Sequence, residues 1–589
     1  MSDNPFEERA SLQGRLARRS VLRGGGLLIG GVAAAALIGC GSDDEEQAPP
    51  SATSSAAAST APGKGELIRD NALPYPYQFP EPNKVPKAGG TMVLGVNSDV
   101  SIMDPQKTTA SGTGRIVNLV YNRLLGYNRG VRLHPFKFAI EGELAKSWEQ
   151  SPDGLVYTFK LQDGVKWQNI APLNGRPFVA DDVKFAFDRY KSGGISTSYW
   201  VGVQTIEAPD PKTVKITLKK PLADFLTPLG SAYQTIHPKE LVDSGEIEKK
   251  AVGTGPMILK DAIVGQKVTF EKNPEYWEGK VLLDGVEFRL QVDTPARLAA
   301  FRSGQTDFGD ILVTNITDAK ALESTNQGVQ INMSSVVLAS GFAMNLSNPK
   351  FQDVRVRRAI SLGIDRQALA NLVYPGIGKI LPMHPWIFHL DKEPTTDSFG
   401  QWHQFNPNDA TKLLAAAGAS NLELQNKYYP YSQAYEQTND VMVDQLRKVG
   451  VNLVGGKVEY TEYNSQWTGR KLPEVSTGGW VTIGFDADNY YYNCMHSSAA
   501  GNRWNLNDPK VDDLASRQQS EVNPQKRKDL LKQIYEYDLD QAYHPIMATG
   551  VGFYAYQPWL HGIRFGGAMG TSNNYQDIGD MIMDAWIDK

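Results

Sequence analysis

The sequence predicts an α/β protein of at least two domains, and three observations carry that expectation. The chain has 589 residues, well beyond the roughly 250–300 at which single hydrophobic cores stop growing. Hydrophobic residues make up 41% and aromatic residues 10%, enough apolar material for real cores. Strand-type alternation, as in Val156-Tyr-Thr-Phe-Lys-Leu161, recurs beside helix-type spacing, as between Val354 and Leu372. No internal repeat or heptad run organises the chain.

The first element is an export segment. Arg15, Arg18, Arg19 and Arg23 precede a Gly/Ala-rich apolar run of 16 residues, Gly24 to Gly39. A spanning helix needs about 20 strongly apolar residues, so this run reads as a processed signal, residues 1–39, and not as an anchor. Ala17-Arg18-Arg19-Ser20-Val21-Leu22-Arg23 resembles a twin-arginine export motif, an address read by a receptor. Leu37-Ile38-Gly39-Cys40 resembles a bacterial lipoprotein box, which implies lipidation of Cys40 and a mature chain of 550 residues. Gly41 to Gly65 is rich in Ser, Ala, Pro and acid, so residues 40–88 read as a lipid-anchored flexible tether.

The folded body begins at Gly90-Thr-Met-Val-Leu-Gly-Val-Asn97, a strand by its apolar run and flanking turn signals. Val156–Leu161 is a second strand, bracketed by Asp153-Gly154 and Asp163-Gly164. Ala180 to Tyr190 is a helix with Asp181 and Asp182 at its positive end. Val354 to Leu372 is an amphipathic helix pair with interleaved arginines. Ala410–Ala417 and Asp440–Val449 are further helices, closed by Gly418 and Gly450.

Several segments occur in an order that identifies a family. They are Leu144-Ala-Lys-Ser-Trp148, Ser151-Pro-Asp-Gly154, Gly164-Val-Lys-Trp167, Asp181-Asp-Val-Lys-Phe-Ala-Phe-Asp188, Val252-Gly-Thr-Gly-Pro256, Asn273-Pro-Glu-Tyr-Trp277, Phe301-Arg-Ser-Gly-Gln-Thr-Asp307, and the run from Phe351 to Arg366. The chain from about Gly90 onward resembles the solute-binding proteins of peptide-type ABC importers, the bacterial extracellular family 5 that includes dipeptide-, oligopeptide- and nickel-binding receptors. The resemblance implies a two-lobed periplasmic-binding-protein-like fold with an extra subdomain inserted in the first lobe and a hinged ligand cleft. It places lobe I at residues 89–129, 237–344 and 551–589, the inserted subdomain at 130–236 and lobe II at 345–550. Hinges fall near Asn345 and Thr549-Gly550. The implied function is an extracytoplasmic receptor, a monomer, that delivers a small solute to ABC transporter permease subunits. An oligopeptide leads among solutes and an oligosaccharide follows.

The resemblance also implies a site. A Gly-Trp pair lies on the family's cleft wall, a role that falls here to Gly479 and Trp480. In peptide-binding members an aspartate three positions later holds the ligand's amino terminus; here that position is Ile483. The nearest acids are Asp486 and Asp488, which either face the cleft or cap a following helix. Ser111 and Gly112 stand where the first lobe offers backbone groups to ligand, and a plain turn before a helix reads equally well. Trp386 and Tyr491 are the rings chosen for ligand contact from a second lobe rich in aromatics, most of which are core.

The composition narrows the partners. Removing the export segment takes five Arg and three acids, leaving 55 basic against 62 acidic residues and a net charge of −7. A mildly acidic body argues against nucleic acid. With Cys40 lipidated, Cys494 has no disulfide partner. There is no Gly-x-Ser-x-Gly, His-Glu-x-x-His or Gly-x-x-x-x-Gly-Lys-Ser/Thr motif, so an enzyme, such as a secreted hydrolase on a two-lobed scaffold, is the lesser alternative. No cofactor is indicated. His384 and His389, five apart, suit neither helix-face nor strand-face ligation, so a metal site would need distant segments to converge.

Overall fold

The computed structural model describes residues 68–69, 75–78, 84–100, 102–108, 110–127, 139–231, 233–279, 281–310, 313, 315–333, 341–430, 432–479, 487–563 and 578–589. The export segment, Cys40 and the Gly41–Gly65 stretch lie outside the described residues. Thr60 to Lys589 forms one compact unit. Among the described residues no helix is long and apolar enough to cross a membrane.

Three sheets organise this unit. The largest has seven strands, in the order Met257–Ile263, Lys267–Lys272, Gly285–Leu290, Thr91–Val96, Phe308–Asp310, Phe553–Tyr556 and Gln330–Met333. Thr91–Val96 is central and pairs in parallel on both sides, with Gly285–Leu290 and with Phe308–Asp310. Met92, Leu94 and Val96 are all buried, and Gly95 between them also falls inside. A strand covered on both faces reads as an apolar run and not as an alternation. This sheet therefore gathers strands from near residue 90, from 257–333 and from 553–556.

The second sheet is antiparallel: Ala145–Gln150, Val156–Leu161, Thr213–Leu218 and Val203–Asp210. Here only one face is covered, so Val156–Leu161 does alternate, with Tyr157, Phe159 and Leu161 inside. Helix Ala180–Ser192 supplies Val183, Ala186, Phe187 and Tyr190 to the same core.

The third sheet is Gly341–Met344, Val475–Gly479, Leu422–Tyr428 and Val451–Lys457. Its last two strands run parallel and are joined through helix Gln433–Lys448, because parallel neighbours need a crossover. That helix starts seven residues before the predicted Asp440; its first turns are mostly polar and hide the period. Gly450, φ +91°, ends the connection, and a Cβ there would sit 2.4 Å from the Ser420 carbonyl oxygen. The predicted helix pair appears as Val354–Leu362 and Arg366–Val373, capped by the Asp353 and Asp365 side chains. Two of its arginines are interior. Arg366 donates to the carbonyls of Ile546 and Ile364 and to Ser361 Oγ, and burial pulls its pKa down to about 9.

Residues 40–88 are not tether throughout. Ile68–Arg69 pairs with Pro76–Gln78. Tyr75 is buried edge-on against Phe553, with its hydroxyl 2.7 Å from Glu323. A large aromatic that finds both an apolar seat and a hydrogen-bond acceptor offsets the entropy of ordering its segment.

At Thr549-Gly550-Val551 the chain passes from a separate two-stranded sheet to the first sheet. Met547–Thr549 pairs with Lys379–Leu381, and Phe553–Tyr556 joins the seven-stranded sheet. At Gly550 an added Cβ would lie 2.5 Å from Cδ1 of Tyr374, so the crossing is packed too closely for any side chain.

Candidate functional site

A polar seam joins the body built on the antiparallel sheet to the one built on residues 341–549. Arg527, on helix Pro524–Gln541, forms an ion pair with Asp224 across it. The Ala223 amide donates to the Gln519 carbonyl at 3.0 Å, and Lys220 Nζ donates to Gln519 Oε1 at 2.7 Å. The pair is mostly shielded, its side chains 12% and 18% exposed.

Beside the seam lies a cavity of about 560 Å³. One wall carries Tyr199, Lys219, Lys220, Leu222 and Phe225; the other carries Asp488, Tyr492, Asn493, Ala500 and Gln519. Asp488 opens the short helix Asp488–Tyr491. Its carboxylate accepts from Gln518 Nε2 at 2.5 Å and Gln519 Nε2 at 2.7 Å, so it contributes no cap to its own helix. Burial raises its pKa above the usual carboxylate value, although Arg527 and the two amides pull the other way. Gln518 also accepts from Arg527 through Oε1, at 3.2 and 3.1 Å. A continuous chain of polar contacts thus runs from Asp224 through Arg527 and Gln518 to the carboxylate at the cavity wall.

The cavity lies between two bodies, with Lys219, Lys220 and Asp224 on one wall and Asp488 on the other, so it offers charged groups of both signs to a small polar guest. A second cavity, of about 540 Å³, is lined by Val100, Met103, Glu248, Lys250 and Leu259. It does not touch residues 341–549.

Comparison with known proteins shows the family. The family model for bacterial extracellular solute-binding proteins, family 5 (middle region), matches residues 139–502. The chain belongs to this family. Its members are substrate-binding receptors of ABC importers and not enzymes, and they work outside the cytoplasm. Among curated relatives, heme-binding protein A of Haemophilus influenzae is 29% identical over 75% of this chain and 84% of that protein. Di/tripeptide-binding protein 2 of Pseudomonas aeruginosa is 28% identical over 62% and 72%. Among solved structures, the periplasmic binding protein DppA of Helicobacter pylori, in complex with the peptide STSA, is 25% identical. It superposes with a TM-score of 0.70 over 85% of this chain and 99% of that one. The receptor therefore has the two-lobed periplasmic-binding-protein fold.

Within that fold the expected site residues fall in different places. Gly479 ends the strand Val475–Gly479 and pairs with Gly341, the first residue of strand Gly341–Met344. Trp480, Ile483 and Asp486 lie outside the described residues. Ser111 begins helix Ser111–Val120, and a Cβ on Gly112 would come within 2.2 Å of the Asp99 carbonyl oxygen. Close packing alone therefore requires glycine at 112. Trp386 and Tyr491 are both buried in the second-lobe core. Tyr491 has no exposed surface, stacks on His384 and sets its hydroxyl 2.6 Å from His389 Nδ1. In this conformation both rings serve packing.

Cys494 is buried, and burial pushes its thiol up to about 12, which makes it an inert core thiol. Asp224, Gln518, Gln519 and Arg527 had no signal in the sequence. Each is an ordinary surface-type residue there, and Asp224 and Arg527 are 303 positions apart.

Proposed function

We propose that this receptor is lipid-anchored at Cys40 and captures a short peptide with a free amino terminus between its lobes, for delivery to an ABC permease. The observation that carries the peptide reading is Asp488. It is a carboxylate at the wall of the interlobe cavity, held by two amides and linked through Gln518 to the Arg527–Asp224 ion pair. A ligand ammonium placed there gains a charge-assisted hydrogen bond, and Lys219 and Lys220 on the facing wall suit the other terminus. Asp488 takes the part that Ile483 cannot play. The peptide bound by the Helicobacter protein and the di- and tripeptides named for the Pseudomonas relative support the same class. The oligosaccharide reading is the weaker one, because Trp386 and Tyr491, two of the rings expected at the ligand, are packed in the core.

Titration calorimetry with di- to tetrapeptides and their N-acetylated forms tests this. Micromolar binding of free peptides, lost by at least about tenfold on acetylation, is expected for a shielded ammonium–carboxylate pair. Equal affinity for both forms would refute the role of Asp488. Because the ammonium favours ionised Asp488, affinity should also fall as pH drops through the raised pKa of that group. Membrane attachment is tested separately: Cys40→Ser should release the chain from the membrane fraction.

A further inference from the structure

The core of the second lobe contains a nest of buried polar groups that the solute site does not use. His384 follows strand Lys379–Leu381, Asp538 lies on helix Pro524–Gln541, and His544 stands just beyond that helix. Each of these side chains is 1% exposed. His544 Nδ1 lies 2.7 Å from Asp538 Oδ1, and His384 Nε2 lies 3.2 Å from Asp538 Oδ2. Yet both ring nitrogens of His384, Nε2 of His544 and Oδ2 of Asp538 make no hydrogen bond. The hydroxyl of Tyr490 is equally unpartnered, and its ring lies edge-on to His384 at 5.0 Å.

Such a concentration of unsatisfied groups is expensive: each buried donor or acceptor left alone costs about 1–3 kcal/mol. The nearest fixed cation does not relieve it. Arg357 gives its guanidinium hydrogens to the carbonyls of Phe351, Gln352 and Gln541. The backbone also bends to bring the groups together. Ala542, in the turn that carries His544 back beside Asp538, holds the left-handed conformation at φ +50° and is fully buried. That conformation costs a non-glycine residue about 1–2 kcal/mol.

We propose that His384, Asp538 and His544 form a buried site for a first-row transition metal, zinc foremost, in the second-lobe core and apart from the solute cavity. Two imidazoles and one carboxylate are a donor set that binds this class of ion. The three ligand atoms lie within 4.8 Å of one another; ligands about 2.0–2.2 Å from one zinc are no more than about 4.4 Å apart, so a small contraction seats the ion. The ion would satisfy His384 and Asp538 together. The unpartnered Tyr490 hydroxyl, whose ring packs against His384, is a neighbouring polar group that an ion or its bound water would satisfy. The metal would cross-link the start of the 384–390 segment to the helix that carries Arg527, stiffening the lobe behind its interlobe contact.

Each of these side chains is 1% exposed, so the ion is best supplied while the chain folds. The test therefore supplies metal during expression. The full chain, without a histidine tag, is produced with Zn2+ or with Co2+ in the medium, exchanged against EDTA, and measured for metal content and anomalous diffraction. About one equivalent resistant to EDTA is expected, with an anomalous peak among His384, Asp538 and His544 and, for cobalt, the visible bands of a tetrahedral ion. His384→Gln and His544→Gln should each reduce retained metal at least about tenfold. Should those variants fail to fold, the wild-type map decides. A metal-free protein with ordered water in the nest overturns the proposal, and so does an anomalous peak located only in the interlobe cavity or on the surface.

Discussion

Replacing Asp224 with Asn removes one charge of the ion pair that bridges the lobes while keeping the side-chain shape. Exposed pairs contribute about 0–1 kcal/mol, whereas removing one partner of a fully buried pair costs about 3–5 kcal/mol. With Arg527 12% and Asp224 18% exposed, the pair stands between these limits, at about 2 kcal/mol. Asp224 belongs to the body built on the antiparallel sheet and Arg527 to the one built on residues 341–549, so the pair exists only while those bodies touch. In a separated state both charges return to water, and the loss falls on the closure equilibrium and through it on ligand affinity. At 1.4 kcal/mol per tenfold, Asp224→Asn should weaken peptide binding about 30-fold. The thermal stability of each separate core should change little. Calorimetry gives the affinity, and small-angle scattering with and without peptide gives the compaction. Arg527→Gln should behave alike, and the double variant should lose much less than the sum of the singles. Changes below about threefold in both singles, with ligand-induced compaction intact, would show that the pair does not hold the lobes together.

Asp488→Asn should have opposite effects on stability and on binding. The raised pKa of Asp488 means that its folded form favours the proton, so this group's stabilisation is present at acid pH and lost as pH rises through that pKa. Asparagine should therefore raise the melting temperature of the ligand-free protein at neutral pH and remove that slope, while lowering affinity for free amino termini; a lower melting temperature at neutral pH would contradict the assignment. Trp480→Ala should weaken peptide binding roughly tenfold, as for a buried aromatic contact, without unfolding the protein, and unchanged affinity would remove Trp480 from the cleft wall. Gly550→Ala places a methyl 2.5 Å from the Tyr374 ring and should destabilise by about 1–3 kcal/mol in urea unfolding; wild-type stability would show that the crossing has room to yield.

The legible parts of this chain were those written in local pattern. Val156–Leu161 is an alternating strand because one face of its sheet is covered, and its bounds come out as read. The amphipathic pair after Val354 breaks at Gly363 for the same local reasons of period and capping. The helix Gln433–Lys448 was half-hidden because its early turns carry Gln, Glu, Thr and Asn, and polar residues do not mark a face. Most second-lobe rings are core, as expected, but Trp386 and Tyr491 are buried too: a ring has the same area whether it faces a guest or a core, and composition cannot separate the two. Only the packing of His384 and His389 around Tyr491 does so.

The interlobe contacts were illegible for a deeper reason. Asp224 and Arg527 are surface-type residues whose meaning exists only in the relation between two bodies, and a relation between segments 303 positions apart leaves no periodicity in either. The same holds for His384, Asp538 and His544. Read in order, the first histidine lacks a partner at ligand spacing, and the other two residues are an unremarked acid and base at the end of a helix. What joins both cases is helix Pro524–Gln541: its Arg527 reaches across the seam, and its Asp538 reaches into the second-lobe core. A helix fixed at one end by core polar contacts holds its other end in register with the opposite lobe.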